Sequence, residues 1–188
     1  MIGKLPTSLA VGGVSYRIHS DFRTILYIFD EVFNNVDFDD YEKAYLCVQI
    51  LYIDKPPDEL FVEAVKQAYW FCNGGSENTS DTNDVRIIDW NHDEKMIMPA
   101  VSKVAGVIDI RSLPYLHFFT FLGFFGEIEN GLLSTVLHIR QKRANGKKLD
   151  KAEKEFFNQN KDLIIIHTAE DLAEIEKTNE VLKSLGIE

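Results

Sequence analysis

The chain has 188 residues, of which 45% are hydrophobic and 27% charged, and its formal net charge is −10 at pH 7. A chain of this length buries about 70% of the surface its unfolded form exposes, so it needs neither metal nor disulfide to fold as one domain, with or without an appendage. The surplus of acid argues against a protein that grips nucleic acid by neutralising phosphates, because that role needs a basic face.

The first residues lack the apolar core of a signal peptide, so a cytoplasmic protein is expected. Two short alternating runs then flank Gly12-Gly13, the pattern of a β-hairpin within residues 4–18. Ser20 is placed to cap a first helix whose apolar face is Phe22, Ile25, Leu26, Phe29, Val32 and Phe33. Asp39 and Glu42 have the spacing of a capping box, and the helix they start is expected to turn Tyr41, Ala44, Tyr45, Val48 and Tyr52 inward. Pro56-Pro57-Asp58 opens a third helix with Phe61, Ala64, Val65, Ala68 and Cys72 inward, and Asn73-Gly74-Gly75 ends it. The polar stretch 76–84 reads as a mobile loop, followed by a short extended piece. A fourth helix is expected over residues 90–105, kinked or broken at Pro99.

Residues 113–126 are apolar almost all round and carry five phenylalanines, Phe118, Phe119, Phe121, Phe124 and Phe125. Such a segment is central to a core or half of an interface, and it is too short to span a bilayer. Further helices follow around Leu132 to Ile139, ending near Asn145-Gly146, and from a second capping box, Asp150 with Glu153. In the tail, Leu172, Ile175 and Leu182 fall at coiled-coil spacing, with Asn179 at an inward position. Charge is uneven. Residues 140–161 hold eight basic side chains against three acids, whereas residues 162–188 hold seven acids against two lysines. An acidic tail beside a basic segment folds back on it, pairs with a neighbouring subunit, or is simply solvated.

These elements describe a mainly α, single-domain bundle of about seven or eight helices with a small N-terminal β-hairpin. The helical domain is expected over residues 1–161 and an acidic C-terminal helical extension over 162–188.

Reactive groupings are sparse. The five histidines are scattered, Cys47 and Cys72 sit in apolar helical stretches as expected free thiols, and there is no Cys-x-x-Cys, phosphate loop, dinucleotide fingerprint or nucleophile elbow. His117, inside the aromatic run, reads as a core or interface histidine hydrogen-bonded to backbone. A non-enzymatic protein with no cofactor and no metal is expected.

The ordered set Lys4-Leu5-Pro6-Thr7, Gly12-Gly13-Val14-Ser15-Tyr16-Arg17-Ile18, Ser20-Asp21-Phe22-Arg23, Trp70-Phe71-Cys72-Asn73-Gly74-Gly75, Ile88-Asp89-Trp90, His92-Asp93, Ile108-Asp109-Ile110, Leu116-His117-Phe118-Phe119-Thr120-Phe121 and Ile139-Arg140 resembles the bacteriophage Gp-fifteen family over about residues 2–161. Phe118-Phe119 departs from the tryptophan that family favours. The resemblance implies a tail assembly chaperone of long-tailed phages and Gram-positive prophages, which coats the tape-measure protein and is lost before the virion is complete. The alternative is a structural virion component, a head–tail connector or tail-completion protein. The expected partners are the tape-measure protein and further copies of the chain, with neither nucleic acid nor membrane. The expected partner-binding side chains are Phe118, Phe121, Phe124 and Phe125 in the aromatic run and Leu172, Ile175 and Leu182 in the tail.

Overall fold

Gly12 and Gly13 both take positive φ, 57° and 77°, as a two-residue hairpin turn requires. Strand β1 (Ser8–Val11) therefore pairs antiparallel with β2 (Val14–Arg17), Leu9 opposite Tyr16 and Val11 opposite Val14. Leu9 and Val11 are buried, while Val14 is exposed. The hairpin thus has one face on the body. The computed structural model describes residues 3–76 and 87–167. Most of the loop expected over 76–84, and Leu172, Ile175 and Leu182 of the tail, lie outside the described residues.

Helix α1 (Phe22–Tyr27) is capped by Asp21, not Ser20: the Asp21 carboxylate accepts from the Arg23 N–H at 3.0 Å. Ser20 is buried instead, its hydroxyl 2.8 Å from that of Tyr115. The chain continues directly into a π-helix, Ile28–Phe33. Phe22, Ile25, Ile28 and Val32 are buried along this combined element.

The Asp39–Glu42 capping box forms and starts α2 (Asp40–Leu51). Its inward face differs from the expected one. Cys47, Val48 and Leu51 are buried, while Tyr41 and Tyr45 are 66% and 46% exposed. Burying a tyrosine requires a partner for its hydroxyl. Tyr52 goes inside because its hydroxyl donates to the Ala64 carbonyl at 3.0 Å. After a 3-10 turn (Asp58–Leu60), α3 (Phe61–Cys72) packs against α2 and buries Ala64, Ala68, Phe71 and Cys72. Its end is set by Gly74 and Gly75, both at positive φ. A Cβ on Gly74 would stand 2.9 Å from a Leu122 methyl. Cys47 and Cys72 are buried free thiols, and the Cys72 thiol is pushed well above its ordinary value by its hydrogen bond with Cys47 and by burial.

Helix α4 (Glu94–Ala105) starts four residues later than its pattern suggests and runs through Pro99 without a break. Pro99 is exposed, as is Lys95, whose carbonyl the missing N–H would have met. Helix α4 stops at Gly106, which takes φ 70°. A 3-10 turn (Ile110–Ser112) leads to α5 (Phe118–Gly126), shorter than the apolar run that contains it. Helices α6 (Leu132–Ala144), α7 (Lys151–Gln159, with the Asp150–Glu153 capping box) and α8 (Lys161–Ile164) complete the described chain. Helix α5 packs on α1 and α4, α4 on α6, and α6 and α7 on α8. The described chain is mainly α-helical with one small hairpin, as the patterns implied.

Candidate partner-binding site

The aromatic run supplies the centre of the core. Phe121 stacks on Phe22 with ring centroids 4.7 Å apart and planes 7° from parallel. Phe118 meets Phe29 and Phe71 at 5.9 and 6.0 Å, and Phe71 stacks on Phe119 at 5.0 Å. Phe118 and Phe121 are fully buried, so within one protomer they are closed to a partner. Phe124 and Phe125 are half-buried. Phe125 lies 5.3 Å from the Trp90 ring.

The segment before α5 is pinned to the start of α1. The Phe22 N–H donates to the Leu116 carbonyl and the Phe118 N–H to the Ser20 carbonyl, at 3.0 and 2.8 Å. His117, 3% exposed, caps α5: its Nδ1 accepts from the Phe119 N–H at 3.0 Å. That fixes the proton on Nε2, which donates to the Pro6 carbonyl at 2.9 Å. Both ring nitrogens are spent on backbone, so His117 is not free to act as a base. Asp21 accepts from the Leu116 N–H and, through both oxygens, from Arg23. Burial alone would raise the Asp21 carboxyl, but these hydrogen bonds from Arg23 and backbone hold it below the ordinary aspartate value. Arg23 also donates to the carbonyls of Arg111, Leu113 and Pro114.

A second polar node is buried. Arg140, counted in sequence among the basic residues of a charged surface stretch, is 6% exposed and forms a two-pronged pair with the fully buried Asp93 at 2.6 and 2.8 Å. Its remaining donors reach the carbonyls of Ile87, Leu163 and Ile164. All five guanidinium N–H groups are thereby satisfied. Asp93 in turn accepts from the Asp89 N–H at 3.0 Å. One side chain thus ties α6 to the start of α4 and the end of α8.

Between the α1–π element and α4 lies an open groove of about 340 Å³. Leu26 and Trp90, backed by the buried Phe22 and Met98, give it an apolar lining, and Arg23, Glu31, Glu94 and Arg111 add charge of both signs. Leu26 and Trp90 are half-buried, and Tyr27 beside them is 54% exposed. Sequence patterns did not single out this set. Trp90 was legible only as part of a motif, and nothing local says that it meets Leu26. Among the described residues no three His, Cys, Asp or Glu side chains converge as metal ligands, and no helix is long and apolar enough to cross a membrane.

Residues 1–166 match the family model described as Bacteriophage Gp15 protein. The chain belongs to that family. Comparison with curated proteins and with solved structures finds no match. In this Gp15-family chain, the residues that carried the resemblance hold the fold together. Asp21, Leu116 and His117 form the clasp on α5, while Asp93 and Arg140 form the buried pair. Ile110 is fully buried, its N–H donating to the Ser102 hydroxyl at 2.8 Å.

Proposed function

We propose that this Gp15-family chain is a non-catalytic tail assembly chaperone that binds the phage tape-measure protein, in many copies, while the tail is built. The observation that supports the reading best is the open apolar groove walled by the half-buried Leu26 and Trp90 over the buried Phe22 and Met98. A tape-measure protein is a long, hydrophobic helical rod. A helix docks in such a groove by inserting apolar side chains spaced three or four residues apart, and charged residues around the groove select its polar flanks. The half-buried Phe125, next to Trp90, extends the apolar surface. The net charge of −10 keeps a chaperone loaded with an apolar client in solution. In this reading the protein acts in the host cytoplasm and leaves before the virion is complete.

Co-expression with a tape-measure fragment tests it. The expected result is a soluble complex that Leu26→Glu, in the half-buried wall of the groove, fails to form. A fragment that stays insoluble beside the natural chain contradicts the reading. Exposed carboxylates at the starts of α2 and α3 and exposed cations on α6 and α7 favour a second reading: a repeating structural virion component such as a connector or tail-completion protein. Mass spectrometry of purified particles separates the two, because stoichiometric presence in mature virions belongs only to the second.

A further inference from the structure

Two surfaces at opposite ends of the packing order have complementary character. At the first, Tyr41, Tyr45 and Phe61 form a ring cluster on α2 and α3, with centroids 5.7 to 6.4 Å apart. Tyr41 and Tyr45 are exposed, and so is the neighbouring Val62, at 82%. Around them the starts of the two helices carry exposed carboxylates, Asp39, Asp40, Glu42, Asp58 and Glu59, none of which pairs with a cation among the described residues. At the second surface, α6, α7 and the turn between them present exposed Arg143, Lys147, Lys148, Lys151 and Lys154, which likewise have no acidic partner among the described residues. Arg143 lies over the Phe157 ring at 4.5 Å, so this end combines cations with aromatic surface. The first surface packs toward α1, the π-helix and β1, and the second toward α4 and α8. No ion pair joins the two surfaces among the described residues.

We propose that copies of this chain associate head to tail, the Tyr41–Tyr45–Phe61 acidic end of one against the Arg143–Lys154 basic end of the next. Charge complementarity selects the occupant: the chain itself carries the matching cations, and arginine and lysine stack on exposed tyrosine faces. Because the two faces differ, the contact is heterologous. It repeats into a ring or an open helical array rather than closing as a two-fold dimer. This names the surfaces through which the many copies of the proposed chaperone would meet, and its test needs no client, so either reading can fail without the other.

Light scattering on the full chain at low salt is the test. The mass is expected to rise with concentration above 21.6 kDa, past the dimer, and to fall back by about 0.5 M salt, where screening shortens the reach of charge to a few Å. A chain with Asp40→Lys and Glu42→Lys, and a second chain with Lys148→Glu and Lys151→Glu, should each stay monomeric. Mixing the two should restore association, since each reversed face then meets its complement. The exposed Tyr45→Ala should weaken association by about tenfold while leaving the unfolding midpoint in place. A monomeric full chain at low salt overturns the proposal, and would mean that the basic face is covered by residues 168–188 or kept for another acidic partner. A dimer that grows no further, or association indifferent to salt and to both reversals, overturns it equally.

Discussion

Arg140 makes five hydrogen bonds inside the protein, two of them to a carboxylate with no solvent access. Arg140→Ala leaves the Asp93 charge buried and unpaired, which costs about 3–5 kcal/mol. Urea unfolding should show the loss as a lower midpoint. Asp93→Leu combined with Arg140→Met should recover part of it, because removing both charges removes the unpaired one. Asp21 gives a dependence on pH. Its folded carboxyl sits below the ordinary value of 3.8, so its contribution to stability is complete above that value and is lost as pH falls through the lower, folded one. Asp21→Asn should therefore flatten the acid limb of stability against pH below about 4. Neither residue's role was visible in sequence. Arg140 looked like surface charge because its partner lies 47 residues away. Ser20 is an equally good capping type one position earlier, and what sets Asp21 apart, the Leu116 N–H it accepts, lies 95 residues away.

At the scale of elements, local chemistry was legible. Both capping boxes, the glycine turn and the glycine ends of α3 and α6 form where the sequence placed them. These features depend on residues within a few positions of one another. Rotation of a helix about its axis was less legible. Helix α2 is apolar on more than one side, so periodicity alone could not choose Cys47, Val48 and Leu51 over Tyr41 and Tyr45. The π-helix has no local signature of this kind either. In α5 the two kinds of ring should respond differently to substitution. Phe121→Ala removes a fully buried ring stacked on Phe22 and should cost about 3–5 kcal/mol. Tyr41→Ala, on an exposed ring, should stay within about 0.5 kcal/mol by the same denaturant measurement. Cys47 and Cys72 offer an independent readout, because both are buried and the Cys72 thiol is held in its protonated form. Labelling by a thiol reagent should be slow in the native protein and should accelerate with urea in step with unfolding.

For the molecule as a whole, the family and the mainly helical architecture emerge from sequence and structure together, while the groove emerges from the structure alone. The aromatic run concentrates apolar rings, yet its deepest members, Phe118 and Phe121, serve the core. What faces outward is assembled from distant segments. The groove joins Leu26 of α1 to Trp90 and to Met98 of α4, and the acidic and basic ends join loops and helix starts. Sequence periodicity reports which face of one element is apolar, not which elements meet across a gap. Trp90 makes the central claim directly measurable. The chain has two tryptophans, and in a Trp70→Phe variant the remaining one lines the groove. Titrating that variant with a purified helical tape-measure fragment should give a saturable change in tryptophan emission, abolished by Leu26→Glu. An emission unchanged by the fragment, or an equal change in the Leu26→Glu chain, would contradict the account.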